Sequence, residues 1–413
     1  MDALEEVRGA QHSQKQLQLR SDGCEGLRVA VVSFPWASPV TYRFLSDIAK
    51  ILDAICDSVL IIDGNTQRIK RPSEKVTLVD IGISLHALKD VKPTFYSAIL
   101  MLVKTVAVQP MLSIELVRRR HEVDVVLFYA AFPNHLLPLI TAKILKKRTV
   151  EVVSTAKEVT LQGKILEKQY PLVFRLLDCI SPITESLIKV HGLDKYPQKL
   201  LPNGARFIDT SRFKVTKPLA ERRNVIGFIS RLRQQKGIVE FVKAIPLILE
   251  ENKDTEFLIG GSGALMSWVA EECKKIRESL GADITITGWI GDDLPDYLNQ
   301  LKLLVLPTWS EALPTTLLEA MACGTPVLAP AIGGVVDIVK DCETGFVLSK
   351  TDPECIAKSV SQILAGSEDE MAEVVEKGVA LVNKRYSFTA AVERYRGIVG
   401  QNGGNTHVIT MRI

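Results

Sequence analysis

From residue 27 onward, short runs of apolar residues alternate with longer segments whose apolar residues recur every three or four positions. The short runs read as buried strands and the longer segments as helices; their regular alternation is the pattern of parallel α/β sheets. Leu27 to Phe34 is the first run and stops at Pro35. Phe44, Ile48, Ile51, Leu52 and Ile55 then fall on one face of a helix predicted over 40–55. Further strands are expected at 58–62, 76–81, 123–128, 149–153 and 179–181, with helices near 94–120, 133–147 and 161–177. From Asn203 to Arg223 the periodicity lapses in a stretch containing Pro and Arg. The alternation restarts with strands at 225–230, 256–259, 284–287, 303–306, 326–328 and 345–348. Helices are predicted between them near 238–250, 264–280, 293–301, 314–323 and 353–365.

A chain of 413 residues is too long for one ordinary core. The pattern predicts two doubly wound domains, at 27–205 and 224–384, joined by a linker at 206–223 and followed by a helix at 385–402. The first 26 residues hold Gln11, Gln14, Gln16 and Gln18 and no apolar run, so they read as a disordered tail rather than a signal peptide; 403–413 reads as a second tail.

Composition narrows the function classes. Hydrophobic residues make up 46% and charged residues 24%, as in an ordinary globular protein. The balance of 51 Lys+Arg against 48 Asp+Glu leaves +3, which offers no global field for nucleic acid. The seven cysteines show no C-x-x-C spacing and no neighbouring histidine, which excludes a disulfide framework and a zinc site and points to a reducing, cytoplasmic compartment. The most apolar stretch, Ser97 to Val117, is broken by Lys104, Gln109, Pro110 and Glu115 and does not read as a membrane span.

Three constellations carry chemistry. Ser230-Arg231-Leu232-Arg233-Gln234-Gln235-Lys236-Gly237 lies between a strand and a helix, where a planar guanidinium and a mobile ammonium suit phosphate oxygens, unless the segment is merely a solvated basic turn. Glu311-Ala312-Leu313-Pro314-Thr315-Thr316-Leu317-Leu318-Glu319 follows another strand; Pro314 suits a first helical turn, and N–H groups from Thr315 to Leu317 would form an anion pocket beside two carboxylates. The bland alternative is an N-terminal acid stabilising its helix plus a surface glutamate. Ile259-Gly260-Gly261-Ser262-Gly263 is a glycine turn permitting close backbone approach, but Met266 spoils a G-x-G-x-x-G dinucleotide fingerprint, and no P-loop occurs. No D-x-D ends a strand and the six histidines are dispersed, so no metal site is expected.

In order, Pro202-Asn203-Gly204, Arg231…Lys236-Gly237, Gly261-x-Gly263, Gly288-Trp289 and Glu311-x7-Glu319-Ala320-Met321-Ala322-x-Gly324-x-Pro326-Val327 resemble the pattern of glycosyltransferase family 4. The resemblance covers about 27–400 and is strongest over 225–348. It implies a GT-B fold, two Rossmann-like domains facing a cleft, with the C-terminal helix packing back on the first. It implies retaining, metal-independent transfer from a nucleotide-sugar, which is the donor substrate, with no separate cofactor. Arg231 and Lys236 would grip the diphosphate, Glu311 the donor sugar, Glu319 the ribose, and the backbone at Gly288-Trp289 the base. Leu313, Pro314, Thr315, Thr316 and Leu317, with Gly261 and Gly263, would complete the donor site. The acceptor would be a glycan or a lipid-linked molecule held by the first domain. A non-catalytic nucleotide-sugar binder and a GT-B nucleotide-sugar epimerase are the alternatives; the epimerase needs acids and histidines that are sparse in the first domain.

The sequence departs from the family pattern at three places: Ser33-Phe34-Pro35-Trp36-Ala37-Ser38 lacks paired glycines, Ala312 stands where a glycine is common, and Phe128-Tyr129-Ala130-Ala131-Phe132 lacks the family histidine. His135 lies close by; it reads as a helix-start residue, with the site histidine as the less favoured alternative. Finally, basic clusters gather in the first domain at Arg68-Ile69-Lys70-Arg71, Arg118-Arg119-Arg120 and Lys143 with Lys146-Lys147-Arg148, and the apolar segment Phe95 to Val117 immediately precedes the second of them. Two readings stand: a first domain in peripheral contact with an anionic membrane, or a core helix with solvated cations at loop entrances.

Overall fold

A strand of a parallel sheet is covered on both faces, so its residues must be apolar without alternation. The Val29-Ala30-Val31-Val32 run meets that demand, each residue being at most 1% exposed. The computed structural model describes residues 26–34, 39–83, 95–129, 135–154 and 168–400. The tails, Pro35 to Ser38, Ala130 to Asn134 and the first part of the helix expected at 161–177 lie outside the described residues. The chain divides into two compact units: one of 1–183, 188–206 and 391–413, the other of 184–187 and 207–390.

The first unit holds β1 (Arg28–Val32), α1 (Pro39–Asp53), β2 (Ser58–Asp63), β3 (Val76–Asp80) and α2 (Phe95–Arg118). There follow β4 (Val125–Phe128), α3 (Leu136–Ile144), β5 (Arg148–Val153), α4 (Tyr170–Leu176), β6 (Cys179–Pro182) and α5 (Ser186–His191). Its six strands are parallel in the order β3-β2-β1-β4-β5-β6, with Val29 in register with Val59 on one side and Val125 on the other. At the chain's end the Tyr395 hydroxyl donates to Gly204 O at 2.7 Å and Arg148 donates to Val399 O at 2.7 Å, both within this unit.

The second unit runs through β7 (Val225–Ile229), α6 (Ile238–Glu251), β8 (Glu256–Gly260), α7 (Met266–Leu280) and β9 (Ile284–Gly288). It continues with α8 (Leu294–Leu298), β10 (Leu303–Val305), α9 (Thr315–Ala322), β11 (Val327–Pro330) and β12 (Phe346–Leu348). The helices α10 (Pro353–Leu364) and α11 (Glu368–Leu381) follow in this unit, and α12 (Phe388–Val399), the last described helix, belongs to the first unit from Ala391 onward. The sheet of the second unit is also parallel, in the order β12-β11-β10-β7-β8-β9.

Two elements differ from expectation. The segment expected as a linker belongs to the second unit from Phe207 onward, with Phe213 and Arg222 buried at 1% and 4% exposure. Arg222 donates to the carbonyls of Leu301 at 3.0 Å and Cys323 at 2.7 Å, to Thr325 Oγ1 at 2.7 Å, and to Lys217 O. Scattered buried residues such as Phe207, Ile208 and Phe213 and these polar bonds, rather than a regular apolar stripe, hold the segment, which is why it shows no periodicity. Burial with neutral acceptors lowers the Arg222 pKa to about 10. The second difference is α11, a helix absent from the predicted elements, which begins in the acidic run Glu368-Asp369-Glu370. Ser367 Oγ accepts from Glu370 N–H, and three acids occupy the first turn, both favourable at a helix N-terminus.

Candidate functional site

In the second unit the strand order reverses between β7 and β10: the chain winds outward through β8 and β9, then returns beside β7 and winds the other way. Loops that leave two such strands diverge to opposite sides and open a crevice at the strands' carboxyl ends. The Arg231–Lys236 turn leaves β7 and the Glu311 loop leaves β10, so both are set at this reversal.

The two loops are joined there. Lys236 Nζ pairs with Glu311 Oε1, each side chain only 11% exposed. Beneath that pair, Trp309 N–H donates to Gln235 O at 2.9 Å, and the buried Thr308 hydroxyl donates to the same oxygen at 3.1 Å. Arg231 reaches solvent at the head of its turn. The protein packed behind it, then Arg233 beside it, lower its pKa from the ordinary value, while the charge of Glu311 acts in the opposite sense.

The glycine turn after β8 is knitted to the same place. Leu232 N–H donates to Ser262 O at 3.0 Å, Leu265 N–H donates to Leu232 O at 3.1 Å, and Gly261 N–H reaches Gly288 O at 2.6 Å. Gly261 has φ +127°, and a Cβ there would lie 1.8 Å from Ser230 O, so no other residue fits. A Cβ on Gly263 would lie 2.4 Å from Leu232 O. Trp289, just past β9, is 66% exposed.

Pro314 occupies the N-cap of α9 rather than its first turn, and no side chain caps it. Leu317 N–H turns back to Pro314 O at 3.1 Å, while the N–H groups of Thr315 and Thr316 stand at the helix start with no carbonyl a turn before them inside the helix. Leu313, Thr315 and Thr316 are half-buried, and Leu317 is buried. Glu319, read in one alternative as a surface residue, is 1% exposed. A carboxyl on the second turn of α9 that faces the interior is not a solubilising charge.

The structure adds residues that the motifs did not single out. The loop after β11 carries Gly333 and Gly334; Gly334 N–H donates to Glu311 O at 3.2 Å, and a Cβ on Gly334 would sit 1.8 Å from Ala312 O. The Gly-Gly pair two residues beyond a strand was the available signal. Thr184 Oγ1 donates to Ala312 O at 3.1 Å, and Glu185 N–H donates to Asp337 Oδ2 at 2.9 Å. Nothing local in the sequence ties 184–187 to this loop.

In the first unit the corresponding reversal lies between β1 and β4. There the chain runs past the strands into Phe34 and Tyr129, both buried, and burial pushes the Tyr129 hydroxyl up to about 12. His135 stands at the N-cap of α3 but makes no side-chain cap bond. It stacks on Phe128 at 4.2 Å and its Nε2 lies 2.6 Å from Glu151 Oε2, with both side chains at most 2% exposed. Burial raises the Glu151 pKa, and His135 opposes the rise.

Residues 223–366, within the second unit, match the family described as Glycosyl transferases group 1. An uncharacterized glycosyltransferase of Methanocaldococcus jannaschii is 31% identical over 142 residues, covering 34% of this chain and 36% of that protein. N-acetyl-alpha-D-glucosaminyl L-malate synthase of Bacillus anthracis is 23% identical over 265 residues, covering 61% of this chain and 68% of that one. The matched stretches thus span between about a third and two thirds of these curated relatives. Anabaena HepE, solved in complex with UDP, is 15% identical and superposes with TM-score 0.69 over 89% of this chain and 98% of its own. That likeness shows the fold, the GT-B architecture of two Rossmann-like domains.

Proposed function

We propose that this chain is a retaining glycosyltransferase of family 4 that moves a sugar from a nucleotide-sugar donor to a glycan or lipid-linked acceptor, in the cytoplasm and without a metal ion. The observation that carries the reading is the meeting of Lys236 and Glu311 at the strand reversal of the second unit, inside the stretch that matches the group 1 family.

In this reading the diphosphate of the donor takes the place of Glu311 as partner of Lys236. A carboxylate already holding the ammonium in place lowers the cost of ordering it when phosphate arrives. Arg231 adds a second cation, and the Thr315 and Thr316 N–H groups add the positive end of α9. These groups stabilise charge that grows on the departing nucleoside diphosphate as the glycosidic bond breaks. Glu311, once released, binds the donor sugar's hydroxyls; Glu319 binds the ribose, and the backbone at Gly288-Trp289 binds the base. Gly261 and Gly263 let the nucleotide lie against bare backbone.

Thermal-shift measurements across UDP-, GDP- and ADP-sugars test the donor assignment, followed by detection of slow donor hydrolysis. One nucleotide class raises the melting temperature and is hydrolysed; no shift with any of them overturns the reading. A shift without hydrolysis or transfer, on any acceptor tried, leaves a nucleotide-sugar binder instead. Turnover unchanged by EDTA is expected, and loss restored by Mn²⁺ would exclude metal independence.

A further inference from the structure

We propose that the outer face of α2 and α3 in the first unit is a docking surface for an anionic lipid bilayer. The inference uses no residue of the second unit and stands apart from the proposed reaction. On α2, Val108, Leu112 and Leu116 are buried at 2% exposure or less, as expected of a helix covering a sheet. The opposite stripe of the same helix is also apolar: Val103, Val106, Ile114 and Val117 are 58%, 57%, 49% and 43% exposed. On α3, Pro138, Leu139 and Ala142 are buried, while Leu137, Ile140 and Ile144 are 40%, 38% and 74% exposed. A surface helix of a soluble domain ordinarily turns polar residues outward. Here two helices do the reverse.

The two stripes belong to one surface. Leu137 N–H at the start of α3 donates to Gln109 Oε1 of α2 at 2.9 Å, which holds the helices side by side. Among the described residues, seven of the thirteen exposed large hydrophobic side chains lie on these two helices, a concentration that scattered surface apolar residues do not produce.

Charge selects the occupant. Between 103 and 148 there are eight Lys or Arg against three Asp or Glu. Both helices lead into parallel neighbouring strands, so their C-terminal ends, where most of these cations gather, point the same way. Arg118 and Lys143 are held by Glu115 and Asp178, each at 2.6 Å. Lys104, Arg120 and Lys146 are exposed and have no ion-pair partner among the described residues. Aliphatic side chains bordered by long cations match the boundary between acyl chains and phosphate headgroups: the apolar stripe enters the hydrocarbon edge and the cations extend to phosphate. No described helix is long and apolar enough to cross a membrane, so the contact is one of surface.

The test is co-sedimentation of the full chain with vesicles of phosphatidylcholine alone and with phosphatidylglycerol added, at low and high salt. The chain is expected to sediment with the anionic vesicles and to do so less at high salt. The double substitution Val106→Glu/Ile144→Glu, at exposed positions that leave the melting temperature unchanged, lowers binding to anionic vesicles by at least about tenfold. Lys104→Gln, Arg120→Gln and Lys146→Gln each lower it roughly fivefold, with little effect on the weaker binding to neutral vesicles. Protein that stays in the supernatant with every vesicle overturns the proposal, as does undiminished sedimentation of the Val106→Glu/Ile144→Glu variant. Self-association of the parent chain that this variant abolishes, without vesicle binding, also overturns it and assigns the face to a second copy of the chain.

Discussion

Counted from its own first strand, each unit places its strands in the order 3-2-1-4-5-6, and each reverses direction between its first and fourth strands. In the second unit the loops leaving those two strands bring Lys236 to Glu311, with Arg231 and the start of α9 nearby. In the first unit the same two strands run on into Phe34 and Tyr129, both buried; the Arg206–Asp47 ion pair acts on the Tyr129 hydroxyl, and His135 pairs with Glu151. One backbone plan therefore carries a cation–carboxylate pair on the loops of one unit and buried aromatic side chains just past the same two strands of the other, among the described residues. The topology supplies a crevice, and the loop residues decide what it does.

If this contrast is right, the ionisable pairs of the two units must respond differently to mutation. Breaking the first unit's pair has the largest expected effect on folding. Glu151→Leu leaves His135 buried without its partner and destabilises by about 3–5 kcal/mol, whereas His135→Phe with Glu151→Leu returns most of that loss. Urea unfolding of the single and double variants measures it; a double variant as unstable as the single would mean that the pair is not the relevant unit. The second unit's pair is expected to matter to chemistry instead. Lys236→Ala cuts turnover by ~10²–10³, about 3–4 kcal/mol in the barrier, because a preorganised cation is missing when diphosphate charge develops. Near-parental turnover with the donor found by thermal shift would remove Lys236 from the phosphate grip.

Arg222 separates scaffold from site within the second unit. Arg222→Met orphans the Leu301 and Cys323 carbonyls and costs roughly 3 kcal/mol of stability, with donor affinity per folded molecule retained. Calorimetry with and without donor distinguishes the two quantities.

The first unit carries a pH signature of its own. Asp63, 1% exposed at the end of β2, is pushed up to about 6 from 3.8 chiefly by burial, against bonds from Ser33 and the Asn65 N–H. A carboxyl whose folded pKa is raised stabilises the fold below its unfolded pKa, and that contribution is lost as pH rises through the folded value. The window is therefore between about pH 4 and 6, and the loss is roughly 2–3 kcal/mol. Asp63→Asn should gain stability relative to the parent across that window and keep a constant difference above it. A difference independent of pH from 4 to 7 would contradict the buried, protonated carboxyl. The smallest effect is expected at Trp289, whose exposed indole contributes little packing: Trp289→Ala changes stability by less than ~0.5 kcal/mol and leaves donor affinity near parental, since the base is assigned to backbone. A large loss of affinity would move recognition of the base to the indole.

Much of the fold was legible because periodicity is a local property. The apolar runs at β1, β2, β7 and β8 needed no neighbour to be read, and the two-unit organisation follows from their restart after residue 223. The helix α11 was equally legible in principle, through Ser367 and Glu370 at capping-box spacing, but its acidic first turn resembles a solvated loop when read for hydrophobicity alone. The candidate site was half legible. Arg231, Lys236, Gly261, Gly263 and Glu311 stand in strand-to-helix turns that any reader of the pattern would mark.

Their convergence was not legible, because it depends on a strand order that no local window contains. Residues 236 and 311 meet only since β10 returns beside β7. The same holds for Gly334 against Ala312, for Thr184 bonded into the second unit, and for Arg222, whose partners at 301 and 323 lie far along the chain. The outer face of α2 and α3 shows the limit most plainly. In sequence both stripes of these helices look like core; only their packing against the sheet decides which stripe is buried and which is left facing outward. Sequence determines which residues must leave water, while tertiary structure decides which of them succeed, since burial is shared among elements and the sheet can cover just one side of each helix.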